Sequence, residues 1–529
     1  MTDKEKNNSS ISINNDDQQQ QNDNLEENKK TLVVDIDENN SINSKKLTQE
    51  LTTTKENEDD PFLWPKKKKW IILSVLSCGA IIAPISSTIF YPAFLTVQEQ
   101  LHTSDILVTT SAAVFLIFQG IGPLGWATYS DLKHTRRNVY LASLVLFIIA
   151  SIICAVSNNI WLLIVVRCLQ ACGSNALHAI GPCTISDMFV PEERGNAFGI
   201  FYLFPLIGPL FGPTFGGYIT QYLGWRWIFW LIAILAFIVL IFIFLFVPET
   251  YRKHKNLSPP SSDSSPPTKR KFINPLASLI LFRYPNLSIV LSYISLFLSL
   301  IYIQAALIPR EFNRIYHLSS SHTGLVFLSP AAGYMFGSVL GGRYSDYIIR
   351  DAKRIALIAL QKKTENQKEN DNMEGEDDII NLSLIKIEPE RRIHGTWLGA
   401  IIIPICYLAY GWLLEHKVPV IFPIIVMFFG GFGQLLAFNP IYTYLVDSFP
   451  TKSVWVNANL TFLRQMIAGI MSILSVPMED SLGTGWTFSV IVFLYIIITL
   501  PVISVLFKGK QWRSKFRNDF NIEDDNIYI

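Results

Sequence analysis

The chain has 529 residues, of which half are hydrophobic and only 16% are charged, whereas soluble domains carry about 25% charge. Its formal net charge is +1, and no basic patch is interleaved with aromatic residues, which argues against a nucleic-acid-binding protein. The six cysteines all lie in apolar runs without metal-ligand spacing, so the sequence predicts neither a metal nor another cofactor.

Polar and charged residues fill positions 1–65 without an apolar period, so we expect a disordered tail there. A basic block at Lys66–Lys69 then precedes six apolar runs that are long enough to cross a bilayer. These runs lie at 70–94, 107–129, 138–156, 160–182, 196–220 and 226–247. They predict an N-terminal six-helix bundle over 66–247.

A segment rich in Pro, Ser and Lys, 248–286, predicts a linker after the sixth run. Six further runs lie at 287–309, 323–341, 397–414, 419–446, 455–477 and 485–507. They predict a C-terminal six-helix bundle over 287–507, interrupted by a polar insert at 350–396 that we expect to be disordered and followed by a charged tail at 508–529. The fold class is therefore an all-α membrane protein with twelve transmembrane helices in two halves.

Lysine and arginine lie mostly on one side of these spans. The opposite side carries only Arg226, Arg310, Arg314 and Lys417. Because positive charge favours the cytoplasmic side, both termini, the linker and the insert are predicted to be cytoplasmic.

The two sets of runs repeat each other six spans apart. Asp187–Pro191 follows the fourth run as Asp447–Pro450 follows the tenth, and Tyr129–Asp131 ends the second run as Gly342–Asp346 ends the eighth. Parallel repeats of this kind place a substrate site between the halves, near the membrane midplane.

The fifth run holds a glycine pattern without any charged residue. Gly208, Gly212 and Gly216 recur every four residues, with Gly199 before them and Pro213 among them. Small residues on one face of a membrane helix let a neighbouring helix approach closely.

This pattern resembles the antiporter signature in the fifth helix of major facilitator exporters. Further matching segments are ISSTIFYPAF (85–94), RCLQACGS (167–174), PEERGNAFG (191–199), WRWIFW (225–230), VPET (247–250), YLVDSFP (444–450) and GTGWTF (483–488). From about Trp70 to Trp512 the chain resembles fungal transporters of the twelve-spanner drug:proton antiporter family, in the branch of quinidine-resistance proteins and dityrosine exporters. The resemblance implies the major facilitator fold and proton-driven export.

The same resemblance assigns a charged loop between the second and third spans. Asp131, Arg136 and Arg137 match the family pattern, whereas His134 stands where the family has a glycine. We therefore expect a gate at the cytoplasmic face, repeated by Asp346 in the other half, with a loosened turn at His134.

In the fourth span, Arg167, Gln170 and Gly173 match the family's Arg-x-x-Gln-x-x-Gly pattern. An arginine at membrane depth costs about 2.5–3.5 kcal/mol, which favours a role in coupling or substrate binding. His178 lies eleven positions after Arg167, which predicts a shared helix face. Its role is open between proton carrier and packing donor.

Polar residues on the seventh, tenth and eleventh spans are candidates for the substrate cavity: Tyr302, Gln304, Gln434, Asn439 and Arg464. No Asp or Glu falls inside a predicted span. The substrate is therefore expected to be a neutral amphiphile or a weak acid rather than a polyamine.

The sequence thus predicts a proton-coupled exporter of small molecules or drugs, a dityrosine-type compound among the candidates, acting as a monomer in the plasma membrane. Its predicted partners are the substrate, protons and the lipid bilayer. The alternatives are a transporter-like sensor and a nutrient or polyamine importer of the same fold. An enzyme is not expected, because no nucleophile–base pair, metal cluster or phosphate-cradling loop stands out.

Overall fold

A computed structural model describes residues 61–189, 191–251, 277–371, 388–449 and 453–519. This part of the chain is almost entirely helical and contains no β-strand. The predicted tail up to residue 60 and most of the predicted linker lie outside the described residues.

The described residues form sixteen α-helices. They are α1 (Lys66–Ala80), α2 (Ile82–Thr88), α3 (Phe94–Gln100), α4 (Asp105–Lys133), α5 (Arg137–Val156), α6 (Ile160–Ser174), α7 (Ala176–Met188), α8 (Pro191–Tyr222), α9 (Arg226–Phe246), α10 (Pro285–Tyr316), α11 (Ser320–Val326), α12 (Leu328–Asp371), α13 (Trp397–Glu415), α14 (Ile421–Ser448), α15 (Ser453–Leu482) and α16 (Thr484–Asp519). Short 3₁₀ segments occupy Pro61–Leu63, Tyr91–Ala93, Ala277–Arg283 and Pro389–Thr396.

Eleven stretches of the described chain are long and apolar enough to cross a membrane, and they correspond to eleven of the predicted spans. The other predicted span, 196–220, is also helical and lies within α8, which has 32 residues. Several side chains of α8 are not among those that the structure describes.

The insert between the eighth and ninth spans begins as a helix. α12 continues without a break to Asp371, so the expectation of disorder is wrong for residues 350–371. The continuation is rich in Ala, Leu, Lys, Gln and Glu, which all favour helix. Likewise, α16 extends beyond the predicted end of the last span and reaches Asp519.

Helix α4 runs the length of the bundle, and an arginine lies at each end of it. Asp105, where α4 begins, pairs with Arg310 at one end, and Ser130, near its other end, bonds Arg136. Along the way α4 packs on α15, while α15 packs on α10 and α12 packs on α14. We call these ends the Arg310 end and the Arg136 end.

Candidate functional site

Arg167 is completely buried in α6 and is held by neutral groups. Its Nη1 donates to Gln170 Oε1 at 2.9 Å and to the Ser86 carbonyl at 3.4 Å, and its Nε donates to the Ser111 carbonyl at 3.4 Å. Gln170 in turn donates from Nε2 to Ser151 Oγ at 2.9 Å. The predicted pair of Arg167 and Gln170 is therefore brought together by direct contact.

Three aromatic rings complete the surroundings of this guanidinium. The Arg167 Cζ lies 4.4 Å from the Phe115 ring centroid, 4.9 Å from that of Phe90 and 5.7 Å from that of Phe229. Ring faces attract a cation, and the attraction grows when water is excluded. Nη2 has no hydrogen-bond partner among the described residues, so the site holds a buried cation with one donor group to spare.

The helix is interrupted between Arg167 and His178, for which the sequence predicted a shared face. α6 ends at Ser174 and α7 begins at Ala176, so the eleven-residue spacing no longer follows one continuous helix. His178 lies instead beside Arg464 of α15 and bonds the backbone of Ala80. The structure thus brings His178 within electrostatic range of Arg464, and the sequence had singled out the two residues separately.

The glycines of α8 form the predicted face for close helix packing. A Cβ at Gly212 would lie 2.5 Å from Thr88 Oγ1, and one at Gly208 would lie 2.9 Å from the backbone of α2. A Cβ at Gly216 would overlap the Ile89 carbonyl. Only glycine therefore lets α8 approach α2 this closely.

The same stretch of α8 also meets α11. Thr214 Oγ1 donates to the Gly324 carbonyl at 3.2 Å, and a Cβ at Gly324 would lie 2.7 Å from the Pro213 carbonyl. Gly199 differs from the other motif glycines, because a Cβ there would meet no atom within 4 Å. The contact surface therefore begins C-terminal to Gly199.

Gln304 and Gln434 are joined through a tyrosine that the sequence did not single out. Tyr407 Oη donates to Gln304 Oε1 at 3.3 Å and accepts from Gln434 Nε2 at 3.0 Å. Gln434 Nε2 also donates to the Phe297 carbonyl at 2.9 Å. Tyr407 lies in an apolar run, and the sequence pattern there does not show whether a tyrosine makes hydrogen bonds or only packs.

Of the two remaining cavity candidates, Tyr302 lies close to this network, because its neighbour Tyr334 lies beside Tyr407, whereas Asn439 makes a separate contact. Tyr302 lies near Tyr91 and Tyr334. Asn439 Nδ2 donates to the Ser338 carbonyl at 2.6 Å and so ties α14 to α12.

At the Arg136 end, Arg136 gathers three elements. Its Nη1 donates to Ser130 Oγ at 2.9 Å, its Nε lies 3.5 Å from Asp187 Oδ2, and its backbone N–H donates to Glu249 Oε1 at 2.8 Å. We call Ser130, Arg136, Asp187 and Glu249 the Arg136 cluster. The predicted gate residue Asp131 belongs to α4, but its side chain is not among those described.

The second half builds a matching group around Arg392. Its Nε donates to Asp447 Oδ2 at 2.6 Å, and its Nη1 donates to Ser345 Oγ at 3.1 Å. Asp346 is 4.0 Å away and its side chain is 71% exposed. Ser345, Asp346, Arg392 and Asp447 form the Arg392 cluster, and its serine and Asp447 repeat the positions of Ser130 and Asp187. Asp187 and Asp447 are part of the sequence repeat, which could have identified them, but they were not proposed as site residues.

The turn after α4 is not loosened by the missing glycine. His134 itself adopts the left-handed conformation, with φ 53°, and its backbone N–H donates to the Ser130 carbonyl. Its Nδ1 shares a 2.8 Å hydrogen bond with Tyr251 Oη. Arg137, three residues after His134, donates from Nη2 to the Phe244 carbonyl at 2.7 Å. Both residues therefore tie this loop to the end of α9 and the segment after it.

Two helices contain buried carboxylates that the predicted spans left out. The seventh and eleventh spans were expected to end at 309 and 477, but α10 continues through Glu311 and α15 through Glu479. Both side chains are fully buried. The expectation that acidic residues stay outside the spanning helices is wrong for these two.

Residues 76–361 match a family model described as the Major Facilitator Superfamily. The chain is 25% identical to the MFS antiporter QDR3 of Candida albicans, with 86% of this chain and 80% of that protein covered. It is 29% identical to the efflux pump radE of Floropilus chiversii, with 86% and 82% covered. The crystal structure of a bacterial homologue of the lysosomal transporter Spinster, inward-facing and unoccupied, has a similar fold, with a TM-score of 0.61, 13% identity and 85% of this chain and 99% of that chain covered.

Proposed function

Because this chain belongs to the Major Facilitator Superfamily, we propose that it exports small organic compounds in exchange for protons. The chain is a multi-pass membrane protein of a transporter family. Two relatives carry the names antiporter and efflux pump, which supports export rather than uptake.

The packing of α8 carries this proposal. Its glycines admit α2 on one side and α11 on the other, at distances that no larger residue allows. Such contacts leave no room for water between the helices. A water-tight contact at this place would limit proton leak, which an exporter driven by a proton gradient has to prevent.

The buried cations suggest how coupling works. Arg167 stays protonated at physiological pH and so acts as a fixed charge, not as the proton carrier. His178 is our candidate for the group that titrates, because imidazole is the side chain whose charge ordinarily changes near neutral pH. The spare Arg167 donor fits a weak acid or a neutral amphiphile with a carbonyl better than a polyamine.

We further propose that the Arg136 end faces the cytoplasm, together with both termini, and that a monomer works in the plasma membrane. The excess of Lys and Arg in the loops at that end supports this orientation.

The test is accumulation of quinidine, dityrosine and benzoate in cells that lack or overproduce the protein, with and without a protonophore. We expect overproduction to lower the accumulation of at least one compound, and the protonophore to abolish the difference. An unchanged panel with normal surface expression would favour a sensor. Higher accumulation on overproduction would favour an importer.

A further inference from the structure

The Arg310 end holds a dense group of charges on three helices. Arg310 Nε lies 3.4 Å from Asp105 Oδ2 of α4, Arg310 Nη1 lies 3.6 Å from Glu479 Oε2 of α15, and Arg310 also pairs with Asp480. Glu311 and Arg314 belong to the same group, which we call the Arg310 cluster.

Two carboxylates of the Arg310 cluster are cut off from water. The side chains of Glu311 and Glu479 are 0% exposed, whereas those of Asp105 and Asp480 are 27% and 49% exposed. Both buried carboxylates lie beside Arg314, whose Nη2 is 3.3 Å from Glu311 Oε1 and whose Nη1 is 3.4 Å from Glu479 Oε1. Beyond Arg314, the Glu311 carboxylate faces the neutral hydroxyl of Thr484.

The charges of this cluster do not balance. Among the described residues, two guanidinium groups face four carboxylates. Asp105, Asp480 and Glu479 share Arg310, and Glu311 and Glu479 share Arg314, so neither buried carboxylate has a cation to itself. A buried charge without its own partner is costly, and two carboxylates that share one site tend to hold a proton between them.

The remaining neighbours of Glu311 do not supply the missing positive charge. Tyr316, Tyr410, Thr484 and Glu415 face it from α10, α13 and α16, and none of these is a cation. Tyr410 also lies beside Gln304, so polar side chains continue from Glu311 toward the Tyr407 network.

We propose that Glu311 and Glu479 form a proton-binding site whose occupancy closes the Arg310 end of the bundle. When α4, α10 and α15 separate, water reaches both carboxylates and both can ionise. One proton taken from that water onto a carboxylate oxygen leaves one carboxylate for Arg314, and the cluster can then be buried. The inference rests on the proposed proton coupling: an external proton would return the empty transporter to the state that binds substrate from inside.

The test measures the opening of the Arg310 end against pH and needs no substrate. Leu223 and Leu482, 60% and 46% exposed at helix ends on this side, are replaced by p-acetylphenylalanine and spin-labelled, which leaves the six native cysteines untouched. Distances are measured by pulsed electron paramagnetic resonance between about pH 5 and about pH 9, a range that covers perturbed carboxyl groups.

For the unmodified site we expect the closed-to-open ratio to rise by up to about tenfold per unit fall in pH, the limit for one bound proton. Glu311→Gln and Glu479→Gln, each of which leaves one carboxylate for Arg314 as the bound proton does, should abolish this dependence and hold the end closed, and the double variant should abolish the dependence as well. Glu99→Gln, at an exposed carboxylate on α3, is the control and should respond as the unmodified protein does. Each single variant is measured as well, so that a double variant that fails to fold does not end the test.

A pH response that survives in the folded Glu→Gln variants would overturn the site. Proton-driven export is followed in parallel with the compound panel, which separates this failure from that of the proposed function. The variants could lose the pH response while the unmodified protein shows no proton-driven export. That result would support the proton-binding site and reject the proposed export function.

Discussion

The two halves of the molecule are alike at the Arg136 end and differ at the centre. The Arg136 and Arg392 clusters both join an arginine to a serine and an aspartate at corresponding positions of the repeat. At the centre, the first half buries the charged Arg167 among rings and carbonyls, whereas the second half buries the neutral network of Gln304, Tyr407 and Gln434. The helix ends thus serve a common structural need, while the centres have separate tasks.

A second difference lies in how the halves pack. α8 carries a run of glycines toward α2, whereas α15, its counterpart six spans later, has the single glycine Gly469. We expect Gly212→Leu to reduce export to background, because overpacking costs about 1–3 kcal/mol or more and here the obstacle is close to backbone. Transport of the responsive panel compound and surface expression are the measurements.

Gly199→Leu is the matched control on the same helix, since a Cβ there meets nothing within 4 Å. It should retain export. Equal loss in both variants would mean that close packing is not what matters in α8.

The charge at the centre of the first half is tested by Arg167→Ala. We expect export to fall at least about tenfold, equivalent to ~1.4 kcal/mol of coupling, while the protein stays folded. Arg167→Lys separates the effect of charge from that of geometry. If the Lys variant exports, positive charge suffices; if it does not, the planar guanidinium group is needed to bind the substrate.

The neutral network of the second half provides the contrast. Gln434→Leu should reduce export less than Arg167→Ala does, because it removes hydrogen bonds worth about 0.5–1.5 kcal/mol each and no charge. An equal or larger loss would contradict the division of tasks between the two centres. The comparison requires equal surface expression of both variants.

The likeness at the Arg136 end is tested by two substitutions at corresponding positions. Arg136→Ala and Arg392→Ala should lower stability by similar amounts, about 1.5–3 kcal/mol for the loss of charge-assisted hydrogen bonds at buried positions, and less where water reaches them. Thermal unfolding in detergent measures both. A large drop in one variant alone would show that only one cluster holds its half together.

The smallest change in stability is expected at the turn formed by His134, which ends α4. The second half has no such turn, because α12, the counterpart of α4, continues as a helix to Asp371. His134→Gly relieves a left-handed residue, which costs roughly 1–2 kcal/mol, but loses the bond to Tyr251. His317→Gly, at the left-handed end of α10, is the comparison. We expect a larger gain in melting temperature at His317, and a larger gain at His134 would show that the Tyr251 bond contributes little.

The sequence was a good guide where composition and spacing decide the structure. Long apolar runs located the spanning helices, and the four-residue glycine spacing identified the face of α8 that packs on α2. The sequence failed where contacts between distant segments decide. The interruption before Ala176, the proximity of His178 to Arg464 and the burial of Glu311 depend on neighbours many residues away.

The length of α12 has a consequence outside the membrane. At 1.5 Å per residue its 44 residues span roughly 66 Å, and a hydrocarbon layer of about 30 Å takes up less than half of this. With α12 close to the membrane normal, its end at Asp371 lies beyond the lipid headgroups. A reagent directed at the last turns of α12 would therefore meet that helix in water, where the bilayer does not block its approach.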